Sequence, residues 1–168
     1  MVASSKYRLI VGLGNPGEGY ESTYHNVGFL FIDFLSKEAL FKSAKHFEYA
    51  EIGDTILVKP LTFMNESGRA VSSAAKRFKS KPQEMLIIHD DADIELGKYK
   101  VSTGRGSAGH KGVESIMKAL GTKDFSRLRI GIRPKIRARA GDFVLKRISK
   151  GGWSVLRSTF KEIKTLNF

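Results

Sequence analysis

EMLIIHDD, residues 84–91, is an unbroken apolar run that ends abruptly in a histidine and two carboxylates. A strand with one face in water alternates apolar and polar residues. A short continuous apolar run instead reads as a strand covered on both faces, at the centre of a largely parallel sheet. YRLIVGLG, residues 7–14, has the same character and stops at a glycine. Between these two runs Val27, Leu30, Phe31, Phe34 and Leu35 recur at i, i+3, i+4, i+7 and i+8, the period of an amphipathic helix, with Ser22 or Thr23 as its expected cap. Ala70, Val71, Ala74, Ala75 and Phe78 mark a second helix, and Val113, Ile116, Met117 and Leu120 a third, stopped by Gly121. TILVKP, GKYKVST and RLRIGI read as further strands. A last helix is expected over Trp153 to Lys164, with Val155, Leu156, Phe160 and Ile163 on its apolar side. Strands interleaved with helices predict an α/β protein: a single domain over residues 1–168, three layers α/β/α, with a twisted, mixed, largely parallel sheet.

Composition narrows the function. A chain of 168 residues, 41% hydrophobic and 27% charged, is about one domain long, and no apolar run approaches the ~18 residues of a membrane span. MVASSKYRLI runs into strand-like sequence almost at once, so no targeting segment is expected at this end. With no cysteine there is neither a disulfide framework nor thiolate chemistry. The net charge of +12 is unevenly placed: residues 1–95 carry 11 Lys and Arg against 13 Asp and Glu, whereas residues 96–168 carry 18 against 4. A half-chain polycation points to a nucleic-acid partner held through its phosphates.

Two glycine motifs invite a nucleotide-binding reading and fail it. Gly12-Leu13-Gly14-Asn15-Pro16-Gly17 is a literal G-x-G-x-x-G after a strand. A dinucleotide loop, however, opens a helix through its backbone N–H groups; Pro16 has none, and GEGYEST postpones the helix. Gly104 to Gly109 followed by His110-Lys111 breaks the G-K-[ST] spacing of a phosphate loop. What remains is a set of polar residues at element junctions: Asn15 after the first strand, His25 and Asn26 at the start of the first helix, Met64 and Asn65 before the second, His89 and Asp90 ending a strand, and His110 with Lys111 opening the third helix. In α/β sheets such junctions converge on one cleft.

His25 is the natural base. In the first turn of a helix the dipole disfavours imidazolium and keeps the ring neutral, while a carboxylate on Nδ1, for which Asp90 is the candidate, fixes its tautomer. Without a cysteine or a G-x-S-x-G elbow, the simplest chemistry is a water activated by His25 attacking an ester or amide. Asn15 and Asn65 would donate hydrogen bonds to the carbonyl or oxyanion. His25, His89 and His110 lack the H-x-H or H-E-x-x-H spacing of a metal site.

VGLGNPG, YHNVGF, TFMNESG, HDDAD and RLRIGI, in this order and over nearly the whole chain, resemble the bacterial-type peptidyl-tRNA hydrolases, also found in eukaryotic organelles. The resemblance implies hydrolysis of the ester between a peptide and the 3′ ribose of tRNA, with no metal or organic cofactor. His25 would be the base and Asp90 the carboxylate orienting it. Asn15, Tyr20, Met64, Asn65, His110 and Lys111 would be substrate-binding, and Lys100 and Arg129 would hold the tRNA phosphate. It further implies peptidyl-tRNA as partner, no membrane or DNA partner, a monomer, and a cytoplasmic or organellar location, the mitochondrion included.

Two positions depart from the family pattern. Where the family reads G-H-N-G this chain has Lys111, which donates but does not accept a hydrogen bond and adds a charge; a lysine of the family's clamp falls at Ser102. Lys98 and Arg105 are neighbours able to take over phosphate contacts. The lid-like segment KIRARAGDFVLKRIS is short and basic. Two other readings differ in class. A noncatalytic RNA-binding relative would need neither His25 nor Asp90; a peptidase or amidase on small substrates would leave the basic half without a purpose.

Overall fold

The computed structural model describes residues 5–136 and 138–168. Seven strands form one sheet in the order β2-β3-β4-β1-β5-β7-β6. They are β1 (Leu9–Gly12), β2 (Lys42–Ser43), β3 (Phe47–Ile52), β4 (Thr55–Pro60), β5 (Met85–Glu95), β6 (Tyr99–Thr103) and β7 (Ser126–Arg133). The four central strands, β4, β1, β5 and β7, are parallel, while the edge pairings β2 with β3, β3 with β4 and β6 with β7 are antiparallel. The apolar runs of β1 and β5 are buried on both faces, as expected for strands in the middle of the sheet.

Helices cover both faces. They are α1 (Val27–Ser36), α2 (Ser67–Phe78), α3 (Lys111–Leu120), α4 (Ala140–Phe143) and α5 (Lys150–Lys164). On one face Ile10, Leu86, Ile88 and Ile130 pack with Phe31 of α1, Phe143 of α4 and Leu156, Phe160 and Ile163 of α5. On the other, Leu9, Val11, Met85 and Ile87 pack with Ala70, Val71 and Ala74 of α2 and Val113 and Ile116 of α3. Two cores separated by one sheet make the three-layer α/β/α arrangement expected from the sequence.

Local details correct three expectations. Neither Ser22 nor Thr23 caps the first helix: residues Tyr24–Asn26 form a separate 3-10 turn, and the Thr23 hydroxyl donates instead to the Tyr20 carbonyl at 2.8 Å. Val155 is 38% exposed, and Gly152, Leu156, Thr159, Phe160 and Ile163 make the buried side of α5, because the stripe is centred one residue further round the helix. The strands β2 and β3 were not expected. Their pattern is broken by charged residues on the solvent side, as suits an edge.

Candidate active site

The site forms where β1 and β5 lie side by side. β4 is reached from β1 on one side, and the chain then crosses through α2 to β5 on the other, so the strand ends diverge and leave a crevice. Two glycines let α1 enter that crevice. A Cβ on Gly12 would run into the Gly28 carbonyl, and one on Gly28 would run into the backbone of Leu13 and Ile88. Close backbone approach at this crossing brings the turn before α1, with His25, against Asp90, which lies within β5 just past Ile88, where the pairing with β1 stops. His89 and Asp90 do not end the strand as expected, because β5 runs on beside β7 to Glu95.

His25 Nδ1 lies 2.9 Å from both carboxylate oxygens of Asp90. From the other side, His110 Nε2 lies 2.9 Å from Asp90 Oδ1. His110 is the N-cap of α3, and its Nδ1 accepts the Val113 N–H at 3.4 Å, which leaves the ring proton on Nε2 to donate to Asp90. With the Nδ1–H of His25 donating to Asp90, the lone pair of His25 is on Nε2, facing a cavity of about 380 Å³ that His25, Asp90, His110 and Lys111 line. Val144, Ala140 and Gly141 line its opposite side. Residues 144–146 are tied to the turn that holds His25: the His25 backbone N–H donates to the Val144 carbonyl at 2.8 Å, and the Tyr24 N–H to the Lys146 carbonyl at 3.2 Å.

The electrostatics differ from the sequence expectation. Burial opposes the imidazolium of His25, but the hydrogen bond and charge of Asp90 outweigh it and raise its pKa above the ordinary 6.5. The helix dipole does not set this balance, because His25 occupies the separate 3-10 turn and its nearest charge is the carboxylate. For Asp90 itself burial works upward, yet the charge and hydrogen bond of His110, then those of His25, hold it well below the usual carboxylate range. His89 is fully buried and pushed well below its ordinary value by burial and by the neighbouring His110, so it stays neutral. Its Nδ1–H donates to the Asp90 carbonyl at 2.7 Å, and its ring packs edge-on to His110 with centroids 4.6 Å apart.

Among the described residues, His25, Asp90 and His110 are also the group whose ligand atoms converge closely enough to hold a metal ion, all within 4.8 Å of one another. Their 2.9 Å separations are those of hydrogen bonds, shorter than the roughly 3.3 Å that ligand atoms keep around a tetrahedral zinc. The arrangement is a carboxylate shared by two imidazoles.

Of the other expected site residues, Asn15, Tyr20, Met64 and Asn65 form a second group beside the cavity. Asn15 Oδ1 accepts the Met64 N–H at 2.7 Å, which leaves its Nδ2 as the donor. Met64 is buried beneath Gly112 at the start of α3, so it acts here through its backbone and its packing. Asn65 is exposed in the 3-10 turn Met64–Glu66 and makes no capping bond to α2. Tyr20 meets Phe63 edge-on, with centroids 6.1 Å apart, and Phe63 is 51% exposed.

Asn26 ties this group to the base. Its Oδ1 accepts the Asn15 N–H and its Nδ2 donates to the Asn15 carbonyl, both at 2.9 Å, and it is 1% exposed. The adjacent position in the sequence was the only signal for this role.

Lys100 and Arg129 form a third group. They are direct cross-strand partners of β6 and β7, with Lys100 exposed. Arg129 Nε donates to Asp91 Oδ2 at 2.7 Å, and Asp91 Oδ1 accepts the Asp93 N–H at 2.9 Å. Asp91 therefore shapes the strand end and aims the arginine, while Asp90 serves the imidazoles. Arg127 was missed by the sequence reading. It is buried beside His89 and donates through Nη2 to the Gly106 carbonyl at 2.8 Å, bracing the glycine-rich loop. Lys111 stands at the cavity mouth, 3.2 Å from Glu114.

Residues 9–166 match the family described as peptidyl-tRNA hydrolase. The chain is 41% identical over 161 residues to the peptidyl-tRNA hydrolase of Thermotoga petrophila, covering 93% of this chain and 86% of the relative. With that of Neisseria meningitidis it shares 46% identity over 138 residues, 77% of this chain and 71% of the relative. The crystal structure of peptidyl-tRNA hydrolase from Acinetobacter baumannii superposes with a TM-score of 0.83 at 34% identity, over 94% of this chain and 84% of that one. With the fold, the motifs and the relatives in agreement over nearly its whole length, the chain belongs to the peptidyl-tRNA hydrolase family.

Proposed function

We propose that this chain hydrolyses the ester joining a peptide to the 3′ ribose of tRNA, with His25 as general base and Asp90 as the group that orients it. The observation that carries this reading is the Asp90 carboxylate, 2.9 Å from His25 Nδ1 and 2.9 Å from His110 Nε2, which leaves His25 Nε2 as the basic nitrogen at the cavity. In the reaction Nε2 takes a proton from water as the water oxygen attacks the ester carbonyl carbon. The resulting oxyanion is stabilised by amide donors, for which Asn15 Nδ2 and Asn65 are the candidates. When the tetrahedral intermediate collapses, the carbon–oxygen bond to the ribose breaks, and His25 returns its proton to the departing 3′ oxygen. Asp90 supports the transient imidazolium and stays ionised throughout.

Tyr20, Met64, His110 and Lys111 complete the substrate side, and Lys100 with Arg129 grips a tRNA phosphate. The substrate supplies the polyanion that the basic half of the chain calls for. No step needs a metal or organic cofactor. The protein works as one domain and as a monomer, wherever translation releases stalled peptidyl-tRNA; among the described residues no helix is long and apolar enough to cross a membrane. Incubation of N-acetyl-aminoacyl-tRNA with the protein in a metal chelator tests the reading. Release of the N-acetyl amino acid above the blank is expected, and tight tRNA binding with no release would reassign the chain to RNA binding alone.

A further inference from the structure

Helix α5 presents a second basic surface, away from the cavity. Its apolar side, Gly152, Leu156, Thr159, Phe160 and Ile163, is buried against the sheet. On the outward side Lys150, Arg157, Lys161 and Lys164 recur at i, i+7, i+11 and i+14, and all four are exposed. At 100° per residue they fall within about 60° of arc, and at 1.5 Å per residue they extend over about 21 Å. Among the described residues none of the four forms an ion pair with a carboxylate. The one acid of the helix, Glu162, is engaged by the Tyr99 hydroxyl at 3.2 Å. Arg157 lies over the Trp153 ring and Lys164 over that of Phe34, 5.9 and 5.7 Å from the centroids, which supports their stems along the helix. Like charges at i, i+4 and i, i+3, as in Arg157, Lys161 and Lys164, oppose helix formation. A bound polyanion would relieve that repulsion.

The amino end of α5 abuts the segment that leads into the His25 turn. The Ile148 N–H donates to the Ser22 carbonyl at 2.8 Å, and Gly152 fits against the Tyr24 hydroxyl, where a Cβ would come within 2.6 Å. From there α5 carries its cations away from His25. It is also separate from the Lys100–Arg129 pair: Tyr99 reaches α5, so strand alternation sends Lys100 to the opposite face of the sheet. We propose that the basic stripe of α5 binds the phosphate backbone of the double-helical RNA that follows the ester end of the substrate. This inference rests on the reading of the chain as acting on peptidyl-tRNA. Duplex RNA is recognised mainly through its backbone and shape, which needs a spaced row of cations and no base-reading groups. A membrane surface fits less well, because a helix lying on lipid must offer its apolar face, and that of α5 is already buried in the core.

The test is the variant Arg157→Gln, Lys161→Gln, Lys164→Gln, whose positions are exposed and outside the reaction chemistry. Kinetics are measured on N-acetyl-aminoacyl-tRNA and on a short N-acetyl-aminoacyl-CCA ester that lacks the duplex, alongside direct titration with deacylated tRNA over a salt series. The variant is expected to raise KM and Kd for full-length tRNA about tenfold and to flatten the salt slope by two to three, roughly one for each phosphate no longer neutralised. kcat and both constants for the short ester stay unchanged. An unaltered Kd and salt slope for full-length tRNA would overturn the proposal. So would equal weakening on the short ester, or loss of binding to anionic phosphatidylserine vesicles with tRNA binding intact. If the wild type cleaves neither ester, the reading of the reaction fails; the tRNA titration still decides the stripe.

Discussion

At the scale of single residues, the account turns on Asp90. One carboxylate serves two imidazoles, and it raises the pKa of His25 above 6.5 while its own is depressed. The consequence for pH follows from the role of a base. His25 must be neutral to accept a proton, so activity is absent when the ring is protonated and rises as pH climbs through the raised pKa. The acid limb of kcat/KM against pH is therefore expected to have its midpoint above 6.5. Asp90→Asn removes the charge that holds the proton, so that midpoint moves down, while kcat falls about 10² or more because the ring loses its orientation. An acid limb unmoved by Asp90→Asn would separate the carboxylate from the titrating group. Asn26 gives a second residue-scale prediction. Asn26→Ala strands the buried N–H and carbonyl of Asn15, so the protein should lose about 1–3 kcal/mol in denaturant unfolding.

At the scale of elements, the crossing of α1 over the ends of β1 and β5 positions the chemistry. Gly28→Ala would press a methyl against the Leu13 and Ile88 backbone, which cannot rotate away. A loss of about 1–3 kcal/mol or more is expected in urea unfolding, with kcat reduced because His25 is displaced from Asp90. A variant of unchanged stability would show that the helix has room to move. The central elements were legible because burial on both faces forces continuous apolar runs, as in Met85–Ile88, and because helical stripes repeat at a fixed period. The strands β2 and β3 escaped because an edge strand is only partly covered: Lys42 and Glu51 flank Tyr49 on the face of Phe47, and Glu48 lies on the other, so no continuous or alternating apolar pattern forms. Junction residues such as Asn15, His25, Asp90 and His110 were legible as a set, since the ends of parallel strands share a cleft. Their pairing was only partly so: His25 with Asp90 was expected, whereas the second imidazole on Asp90 depends on the rotation of α3 about its axis, which no spacing in the sequence encodes. The Thr23 cap failed for a similar reason, because a 3-10 turn intervened and its hydroxyl found the Tyr20 carbonyl.

At the scale of the whole molecule, a charge imbalance along the chain becomes one across the structure. β7 and β6 lie together at one end of the sheet, so the basic residues of these strands collect at that edge, which α5 reaches through the Tyr99–Glu162 hydrogen bond. Lys100→Ala is the cleaner probe of the proposed phosphate grip, because Arg129→Ala also frees Asp91. Lys100→Ala should weaken tRNA binding and lower the salt slope by roughly one, with kcat little changed; an unchanged slope would remove Lys100 from the interface. The central claim is that one imidazole, aimed by one carboxylate, activates water at the ester. Single-turnover release of N-acetyl amino acid from N-acetyl-aminoacyl-tRNA, with tRNA binding measured in parallel, tests it most directly. His25→Ala is predicted to slow release by about 10² or more while leaving the tRNA Kd nearly unchanged. Release at the wild-type rate, or loss of binding in step with loss of cleavage, would contradict it.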